Sequence, residues 1–385
     1  MRLALVLLAA LAAAALAPAL SVAGAGYTFT KVADSARDDF NPNAFTCASI
    51  NNRGDIAFKA GRTSADGLNS FDGIYRANAD GSLTTIVEDP DRERFGFLGN
   101  NPSMNDSGQV SFAANLQPDT DQAILRGDGT TLVTIADTLG EFNFFGFDTS
   151  INDAGEVAFK AERDDFDEGL FSGSGGPVTT HYLNSQDVSL DGEPRRFGGN
   201  DSRPSINNPG DIAFDESVQP DFDNGIFVGR DGSFRTIQAP DPERSVREPA
   251  LNDAGVTAFE TSFVQNGEFV TAIVKDDGPT QTTVADTTGP FGGFGFRAPS
   301  LNNSGDVAFL AQPDDFSSSG IFVGPNPRKD LVVSTGDRLD RGIVSNLSLC
   351  EEGLNDSRQL AFIATLDPPK GEGSRTAVFR ATPKR

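Results

Sequence analysis

One short phrase recurs seven times along this chain of 385 residues. Each copy starts with Asn, has Gly three residues later in all but the last copy, and ends in a small residue followed by Phe. The copies are Asn51–Phe58, Asn105–Phe112, Asn152–Phe159, Asn207–Phe214, Asn252–Phe259, Asn302–Phe309 and Asn355–Phe362. Their starts lie 54, 47, 55, 45, 50 and 53 residues apart. Because β-type repeats with a period of roughly 40–50 residues are typical of propellers, we predict an all-β chain that forms a single seven-bladed β-propeller.

Each repeat contains four runs that we interpret as strands, named A to D in chain order. In the sixth repeat they are Pro299–Asn302, Asp306–Ala311, Gly320–Val323 and Leu331–Ser334. The run Tyr27–Ala33 alternates like a half-buried strand but has no other strands before it. The seventh repeat, in turn, ends before a strand D. We therefore predict four-stranded blades with strand A innermost, and a ring that closes when the N-terminal strand completes the C-terminal blade.

The connection between strands A and B, Asn-x-x-Gly, is typical of a tight turn in which the Asn side chain bonds nearby amides and Gly takes a positive φ. Arg358 stands in place of that Gly in the last copy, so we expect it to be strained by about 1 kcal/mol. Strand B is apolar on both faces, which predicts that each blade is covered on both sides. We expect the motif phenylalanines to form the core between blades, each facing a small residue of a neighbouring blade. They are Phe58, Phe112, Phe159, Phe214, Phe259, Phe309 and Phe362.

The chain is strongly acidic, with 55 Asp and Glu against 31 Lys and Arg and a formal charge of −24. Such a surface repels phosphate backbones and anionic lipid, and no basic run interrupts it. We therefore expect no binding to nucleic acid or to membrane surfaces. No run beyond the N-terminal segment reaches the ~20 apolar residues that a membrane-spanning helix needs. We expect no span in the mature chain, and we expect a monomer.

The N-terminal segment predicts export. Arg2 precedes an apolar run from Leu3 to Ala17, and the small residues at Ala23 and Ala25 fit a signal-peptidase site. We assign residues 1–25 to a signal peptide and residues 26–385 to the propeller, so the mature protein is expected to be secreted or periplasmic. The alternative is a retained N-terminal anchor.

The two ends of a propeller blade carry different connections. If the short, uniform A–B and C–D turns lie on one face of the ring, the B–C and D–A connections lie on the other, which we call the loop-rich face. Its B–C loops are acidic, and three of its D–A loops are rich in Phe and Gly: Arg94–Phe97, Phe144–Phe147 and Phe291–Phe296. Because binding residues concentrate on irregular loops, we expect any ligand on this face.

The acidic B–C loops could serve two kinds of chemistry. Alternating carboxylates bind calcium through oxygen ligands, and the candidates are Asp164, Asp167, Asp221 and Asp223. No complete calcium-binding loop is present, so solvated hairpin loops are the competing interpretation. Paired carboxylates also serve glycoside hydrolases as acid and base. The candidates for such catalysis are Asp165, Asp223 and Asp315.

Three arginines precede strand A in successive repeats, namely Arg203, Arg247 and Arg297. Since strand A is expected to line the central channel, these residues could bind a carboxylate or a sulfate. Local pairing with the surplus of Asp and Glu is the alternative. His181 is the only histidine and is predicted to be partly exposed on an outer strand D. A single histidine so placed gives little support to a Ser-His-Asp triad.

The two cysteines flank the array of repeats. Cys47 precedes the first copy of the motif and Cys350 precedes the last, and those copies are neighbours in a closed ring of seven. In an oxidising compartment they could form a disulfide that joins the two ends of the ring. Two separate buried thiols are the alternative, and a Cα separation above ~7 Å would exclude the bond.

The repeated motif resembles that of exported bacterial tandem-repeat proteins with an Asn-x-x-Gly-x-x-Ala-Phe repeat, and the likeness covers nearly all of the mature chain. The resemblance implies a propeller-like extracellular or surface protein without an assigned activity. The Asp-box of sialidases, Ser-x-Asp-x-Gly with a following aromatic residue, differs at the Asn and at the Ala-Phe pair. No sialidase residue is therefore carried over.

These features favour a non-catalytic binding or interaction scaffold that uses the loop-rich face for an extracellular protein or polysaccharide. A carboxylate-based glycan hydrolase or lyase on the same scaffold is the first alternative. A structural matrix protein is the second. Calcium is the one cofactor for which the sequence offers candidate ligands.

Overall fold

The protein is a seven-bladed β-propeller, as the repeat predicts. A computed structural model describes residues 26–36, 39–41, 45–64, 67, 70–118, 121–199, 203–247, 249–295, 297–368 and 373–384. The predicted signal peptide, residues 1–25, lies outside these ranges. Within them the chain forms seven sheets and no helix, so none of the described segments is a helix that could cross a membrane.

The strands are numbered in chain order and grouped into blades by motif copy. Blade 1 contains β2 (Ala48–Ile50), β3 (Ile56–Thr63), β4 (Ser70–Ala77) and β5 (Leu83–Glu88). Blade 2 contains β6 (Phe95–Leu98), β7 (Ser103–Met104), β8 (Val110–Leu116), β9 (Gln122–Gly127) and β10 (Leu132–Asp137). Blade 3 contains β11 (Phe142–Ile151), β12 (Val157–Arg163), β13 (Glu168–Gly173) and β14 (Thr179–Leu183). Blade 4 contains β15 (Val188–Leu190), β16 (Glu193–Arg195), β17 (Ser205–Ile206), β18 (Ile212–Val218), β19 (Asp223–Arg230) and β20 (Ser233–Gln238).

The last three blades follow the same order. Blade 5 contains β21 (Arg244–Val246), β22 (Ala250–Leu251), β23 (Thr257–Gln265), β24 (Glu268–Asp276) and β25 (Gln281–Asp286). Blade 6 contains β26 (Phe291–Phe294), β27 (Ser300–Leu301), β28 (Val307–Pro313), β29 (Gly320–Val323) and β30 (Leu331–Ser334). Blade 7 contains β31 (Arg338–Leu339), β32 (Gly342–Ser348), β33 (Leu360–Asp367), β34 (Arg375–Pro383) and, from the N-terminus, β1 (Tyr27–Asp34).

The blades depart from the predicted four strands in two ways. In blade 4 the hairpin β15–β16 lies outside strand D, where β15 pairs parallel with β20. Elsewhere strand A is longer than predicted and divided. In blades 2 and 6 an outer piece (β6 or β26) and an inner piece (β7 or β27) both pair with strand B. In blade 3 the two pieces merge into β11. The three Phe- and Gly-rich D–A connections, expected to be loops, therefore contribute strand residues. The physical reason is that each places a Phe in the blade core: Phe95, Phe145 and Phe291 are at most 6% exposed.

The ring closes as predicted. Strand β1 pairs antiparallel with β34, from Tyr27 opposite Pro383 to Asp34 opposite Ala377. The two cysteines form a disulfide, Cys47–Cys350, with a Cα separation of 5.8 Å. The disulfide joins blade 1 to blade 7, so the junction between the chain ends is both hydrogen-bonded and covalent.

The core lies between the blades. The seven motif phenylalanines are at most 2% exposed, and each belongs to a separate apolar cluster shared with the preceding blade. Phe259, for example, packs in one cluster with Ala213 of blade 4, and Phe309 packs in one cluster with Ala258 of blade 5. Within the repeated Ala-Phe pair, Ala thus faces the next blade and Phe faces the previous one. Large side chains fill the space that small ones leave, which is the basis of dense packing.

Candidate functional site: the loop-rich face

The A–B turns, on the face opposite to the loop-rich face, form two rings of hydrogen bonds around the channel. In the first ring, the Asn that starts each copy of the motif donates its Nδ2 to the backbone carbonyl oxygen of the equivalent Asn in the next blade. These distances are 2.9–3.2 Å in all seven blades. The following residues form a second ring, the mouth ring, in which each backbone N–H donates to the next side-chain Oδ1 at 2.7–2.9 Å. The mouth ring consists of Asn52, Asp106, Asp153, Asn208, Asp253, Asn303 and Asp356. These polar groups are engaged in holding the blades together.

The channel behind the mouth ring is crossed by an ion pair. Its mouth encloses about 930 Å³ of space open to solvent. Arg203 of blade 4 reaches across to blade 7, where Nη1 lies 2.5 Å from Glu351 Oε2 and Nη2 lies 2.7 Å from Glu352 Oε1. Burial raises the pKa of Glu352, while Arg203 and a hydrogen bond from Ser103 oppose that rise. Arg203 therefore already has two carboxylate partners inside the channel.

The other two predicted arginines take different partners, so the three form no common cluster of contacts. Arg247 Nε lies 3.0 Å from Glu260 Oε1 in its own blade. Burial raises the pKa of Glu260 to about 7 although Arg247 opposes this. Arg297 of blade 6 extends to blade 2, where Nη1 donates to Asn101 Oδ1 at 2.9 Å.

His181 lies on strand D, as expected, but the prediction that it is partly exposed is wrong. It is 4% exposed because the C–D turn of blade 4 covers it. Its Nδ1 accepts a hydrogen bond from the Asp231 backbone at 3.2 Å, and its Nε2 lies 2.9 Å from Ser172 Oγ. Burial lowers the pKa of His181, with Asp231 opposing. The ring therefore links blade 3 to blade 4.

Exposed aromatic residues distinguish the loop-rich face. Blades 3 to 6 each present an acidic residue followed by a Phe, a pair that we call an acid–Phe tip; it lies in the B–C connection of blades 3, 4 and 6 and at the start of strand C in blade 5. The four phenylalanines are 57–74% exposed. The tips are Asp165-Phe166, Asp221-Phe222, Glu268-Phe269 and Asp315-Phe316.

Three of the four tips are held in an unusual backbone conformation. Phe166, Phe222 and Phe316 have φ values of 66°, 59° and 51°, a region that bulky side chains rarely adopt. Two of the rings also lie against glycine backbone of the same blade. A Cβ placed on Gly198 would be 2.6 Å from the Phe222 ring, and one on Gly292 would be 2.7 Å from the Phe316 ring. One side of each ring rests on backbone while most of the side chain meets solvent.

The predicted calcium and catalytic carboxylates are distributed over separate B–C loops. Asp164, Asp165 and Asp167 belong to blade 3; Asp221 and Asp223 belong to blade 4; Asp315 belongs to blade 6. In the described part of the chain, no group of three or more Asp, Glu, His or Cys side chains is arranged to hold a metal ion. Asp167 accepts hydrogen bonds from the Ser185 backbone and hydroxyl. Asp315 accepts one from the Ser317 backbone, and hydrogen bonds from Ser317 lower the pKa of Asp315.

A buried polar cluster between blades 3 and 4 was not predicted. Lys160 Nζ lies 2.7 Å from Glu216 Oε2, and the Tyr182 hydroxyl donates to the same oxygen at 2.6 Å. Burial, with Glu216 next, raises the pKa of Tyr182 well above its usual value, so this phenol keeps its proton and does not supply a base. The sequence signal for this cluster was a Lys in strand B directly after the motif Phe. Lys160 occupies this position in blade 3, where Leu310 and Ile363 stand in blades 6 and 7.

The comparisons with known proteins agree with this architecture. The chain matches the Family of unknown function (DUF7453) over residues 89–239 and 231–384, and it belongs to that family. No curated protein matches the chain.

Among solved structures, the propeller domain of the Trilobed protease from Pyrococcus furiosus aligns with a TM-score of 0.55 at 10% identity, covering 89% of this chain and 94% of that one. That domain is described as having an open velcro topology, whereas here β1 and β34 close the ring. The polysaccharide lyase Uly1 aligns with a TM-score of 0.50 at 9% identity, over 89% of this chain and 90% of that one. Pyrococcus horikoshii acylaminoacyl peptidase gives 0.50 at 11% identity, over 84% of this chain and 50% of that one. At these identities the likeness concerns the fold alone.

Proposed function

We propose that this protein is an exported, non-catalytic binding scaffold that holds an extracellular protein or polysaccharide on its loop-rich face. The observation that carries the proposal is the set of four acid–Phe tips. Of the nine large hydrophobic side chains that are exposed in the described part of the chain, four lie on B–C or D–A connections, and Val264 and Phe269 lie at the strand ends that flank the B–C turn of blade 5. Four exposed phenylalanines on one face offer apolar surface that a partner could cover.

Backbone strain supports a binding role for the tips. A non-glycine residue in the left-handed region costs of order 1 kcal/mol, and Asn or Gly would form the same turns with less strain. Three phenylalanines bear this cost at equivalent positions and still expose their rings to water. Neither the turn geometry nor the blade core accounts for them, so we assign them to contact with a partner.

Export rests on the sequence and on one structural feature. Residues 1–25 have the pattern of a signal peptide, and residues 26–385 would then form the mature propeller of the Asn-x-x-Gly-x-x-Ala-Phe repeat type. The Cys47–Cys350 disulfide is of a kind that persists in oxidising compartments. A secreted or periplasmic protein accommodates both features.

The test replaces the strained aromatic tips without disturbing their turns. Phe166, Phe222 and Phe316 are changed together to Asn, which tolerates positive φ. Leu83→Asn on the opposite face serves as the matched control, since Leu83 is also exposed, at 41%. Mature protein is immobilised and challenged with a panel of neutral and acidic polysaccharides and with the extracellular proteins of the producing organism, with calcium and with chelator.

We expect the triple variant to lose a partner that the wild type and Leu83→Asn retain. Equal retention by all three proteins would contradict the proposal. Newly formed reducing ends, abolished by changing Asp165, Asp223 or Asp315, would instead establish the glycan hydrolase. Loss of retention only in chelator would assign the acidic loops to calcium.

A further inference from the structure

A second concave site lies on the loop-rich face, beside the disulfide, at the junction of blades 7 and 1. It encloses about 820 Å³ of open-sided space. Arg297 lies on its rim, and its walls include Phe45, Thr46, Ser348 and Thr365. We call it the Arg297 pocket. It is separate from the acid–Phe tips, which belong to blades 3 to 6.

The charge of the Arg297 pocket is opposite to that of the molecule. Four other concave sites on the described surface each include at least one carboxylate among their lining residues. The Arg297 pocket includes none, and its one charged group is a guanidinium. In a chain with 55 acidic and 31 basic residues, such a pocket can receive an anion without displacing a resident carboxylate.

Arg297 is positioned but not neutralised. Its Nη1 donates to Asn101 Oδ1 at 2.9 Å and lies 3.8 Å from Cys47 Sγ. Both partners are uncharged, and among the described residues no ion pair joins this guanidinium directly to a carboxylate; Asn101 in turn donates its Nδ2 to Asp148 Oδ1 at 2.6 Å. The remaining N–H groups of the planar fork match the oxygens of a carboxylate or a sulfate.

The rest of the pocket suits a sugar rather than a bare ion. Thr46, Asn346, Ser348 and Thr365 are among its lining residues. The Thr46 hydroxyl donates to the Asn100 carbonyl at 2.6 Å, and its oxygen, the other two hydroxyls and the amide supply donor and acceptor types suited to ligand hydroxyls. Phe45 supplies an apolar wall. Its ring stacks on Phe58 with centroids 5.9 Å apart, which holds the wall in place.

We propose that the Arg297 pocket binds an acidic saccharide unit through its carboxylate or sulfate group. Arg297 holds the anionic group, and the hydroxyl and amide side chains orient the sugar. This site extends beyond the proposed function because it uses different residues and a different charge from the acid–Phe tips.

The test uses short probes, because a protein of net charge −24 repels long polyanions. Digalacturonate, a monosulfated cellobiose, uncharged cellobiose and inorganic sulfate are titrated into the mature protein by calorimetry. Three proteins are compared: the wild type, Arg297→Gln, and Arg328→Gln. Arg328 is an exposed arginine of the blade 6 C–D connection, on the opposite face, so its loss removes the same charge elsewhere.

We expect the wild type to bind at least one charged disaccharide, Arg297→Gln to bind it at least tenfold more weakly, and Arg328→Gln to match the wild type within twofold. Equal affinities of wild type and Arg297→Gln would overturn the proposal, as would the absence of binding by both charged disaccharides. Cellobiose binding as tightly would remove the role of the anion. Inorganic sulfate binding as tightly would remove the role of the sugar.

The triple Phe→Asn variant separates this proposal from the binding scaffold. It should bind the charged disaccharide like the wild type. If the charged disaccharides do not bind the wild type while retention of the macromolecular partner still depends on the phenylalanines, only the assignment of the pocket is wrong. If the charged disaccharide binds but no macromolecular partner depends on the phenylalanines, only the role of the tips is wrong.

Discussion

Arg358 is the residue at which the repeat departs from its own turn chemistry. The six other copies of the motif place Gly here with φ between 78° and 90°, whereas Arg358 has φ of 57°. Its Nε lies 3.5 Å from Asp306 Oδ2, but the arginine side chain is 48% exposed. A half-exposed ion pair contributes little, so the strain is not offset.

We predict that Arg358→Gly raises the free energy of unfolding by about 1 kcal/mol, because Gly adopts positive φ without a steric cost. Urea denaturation of both proteins measures the difference. Arg358→Ala is the control, since it removes the same ion pair but keeps a Cβ at positive φ. A gain of equal size in the Ala variant would show that strain is not the cause.

Glu260 is a buried carboxyl group with an incomplete set of partners. It is 4% exposed, its Oε1 lies 3.0 Å from Arg247 Nε, and its Oε2 has no hydrogen-bond partner. Burial raises its pKa from 4.5 to about 7. The folded protein therefore binds this proton more tightly than the unfolded chain does.

The sign of the pH dependence follows from that difference. The contribution of Glu260 to stability is complete below its unfolded pKa of about 4.5 and is lost as the pH rises through about 7. Relative to Glu260→Gln, the wild type should lose up to about 3 kcal/mol across this window. Urea unfolding at several pH values measures this loss, and Glu193→Gln, which removes an exposed carboxylate, is the control. A difference independent of pH would contradict the prediction.

At the scale of elements, the odd number of blades affects how amide and carboxylate side chains are arranged around the mouth ring. Asn52, Asn208 and Asn303 each donate Nδ2 hydrogen bonds to carboxylates on both sides, at 2.8–3.1 Å. Donor and acceptor side chains cannot alternate perfectly around seven positions. The mismatch lies between Asp106 and Asp153, where two carboxylates are neighbours with no amide side chain between them.

We predict that Asp106→Asn stabilises the ring by about 0.5–1 kcal/mol at low ionic strength, because it moves the mismatch to a neutral pair with Asn52. The gain should shrink in 1 M NaCl, where charge repulsion is screened. Thermal unfolding at both salt concentrations measures it. The same change at Asp253 is the control and should destabilise, since Asp253 accepts amides from both neighbours. Stabilisation by both variants would refute the parity argument.

Elements also show where sequence reasoning stops. The A–B turns and strand B were predictable because their signals are local: Asn and Gly at a fixed spacing, and alternating Ala and Phe. The outer pieces of strand A were expected to be loops because Gly-rich sequence has little strand propensity. Their pairing partner is the far half of strand B, and their Phe side chains enter a core that only the folded blade provides.

At the scale of the whole molecule, the chain ends are joined twice. Strand β1 pairs with β34, and the disulfide links residues 303 positions apart in sequence. Cross-linking so long a loop removes much of the conformational freedom of the unfolded chain, worth up to about 5 kcal/mol in the loop-entropy account. The ring is thus stabilised near the place in blade 7 where the two chain ends meet, since no peptide connection joins β34 to β1.

We predict that the double variant Cys47→Ala, Cys350→Ala remains folded but unfolds at a clearly lower urea concentration. The β1–β34 pairing keeps the ring closed, while the unfolded state regains its freedom. Reduction of the wild type should give the same shift. An unchanged midpoint in either experiment would mean that the disulfide does not constrain the unfolded chain.

The number of blades, the strand that closes the ring and the chemistry of the A–B turns could be predicted from the sequence. These follow from periodicity and from local backbone preferences, which a linear pattern records. Other features required the folded ring: Cys47 bonds to Cys350 and is not a separate thiol, Arg203 crosses the channel, His181 is covered, three of the acid–Phe tips have positive φ, and Arg297 lies in a pocket without carboxylates. Such relations depend on which residues meet when the ring closes, and residues from distant repeats meet only in three dimensions.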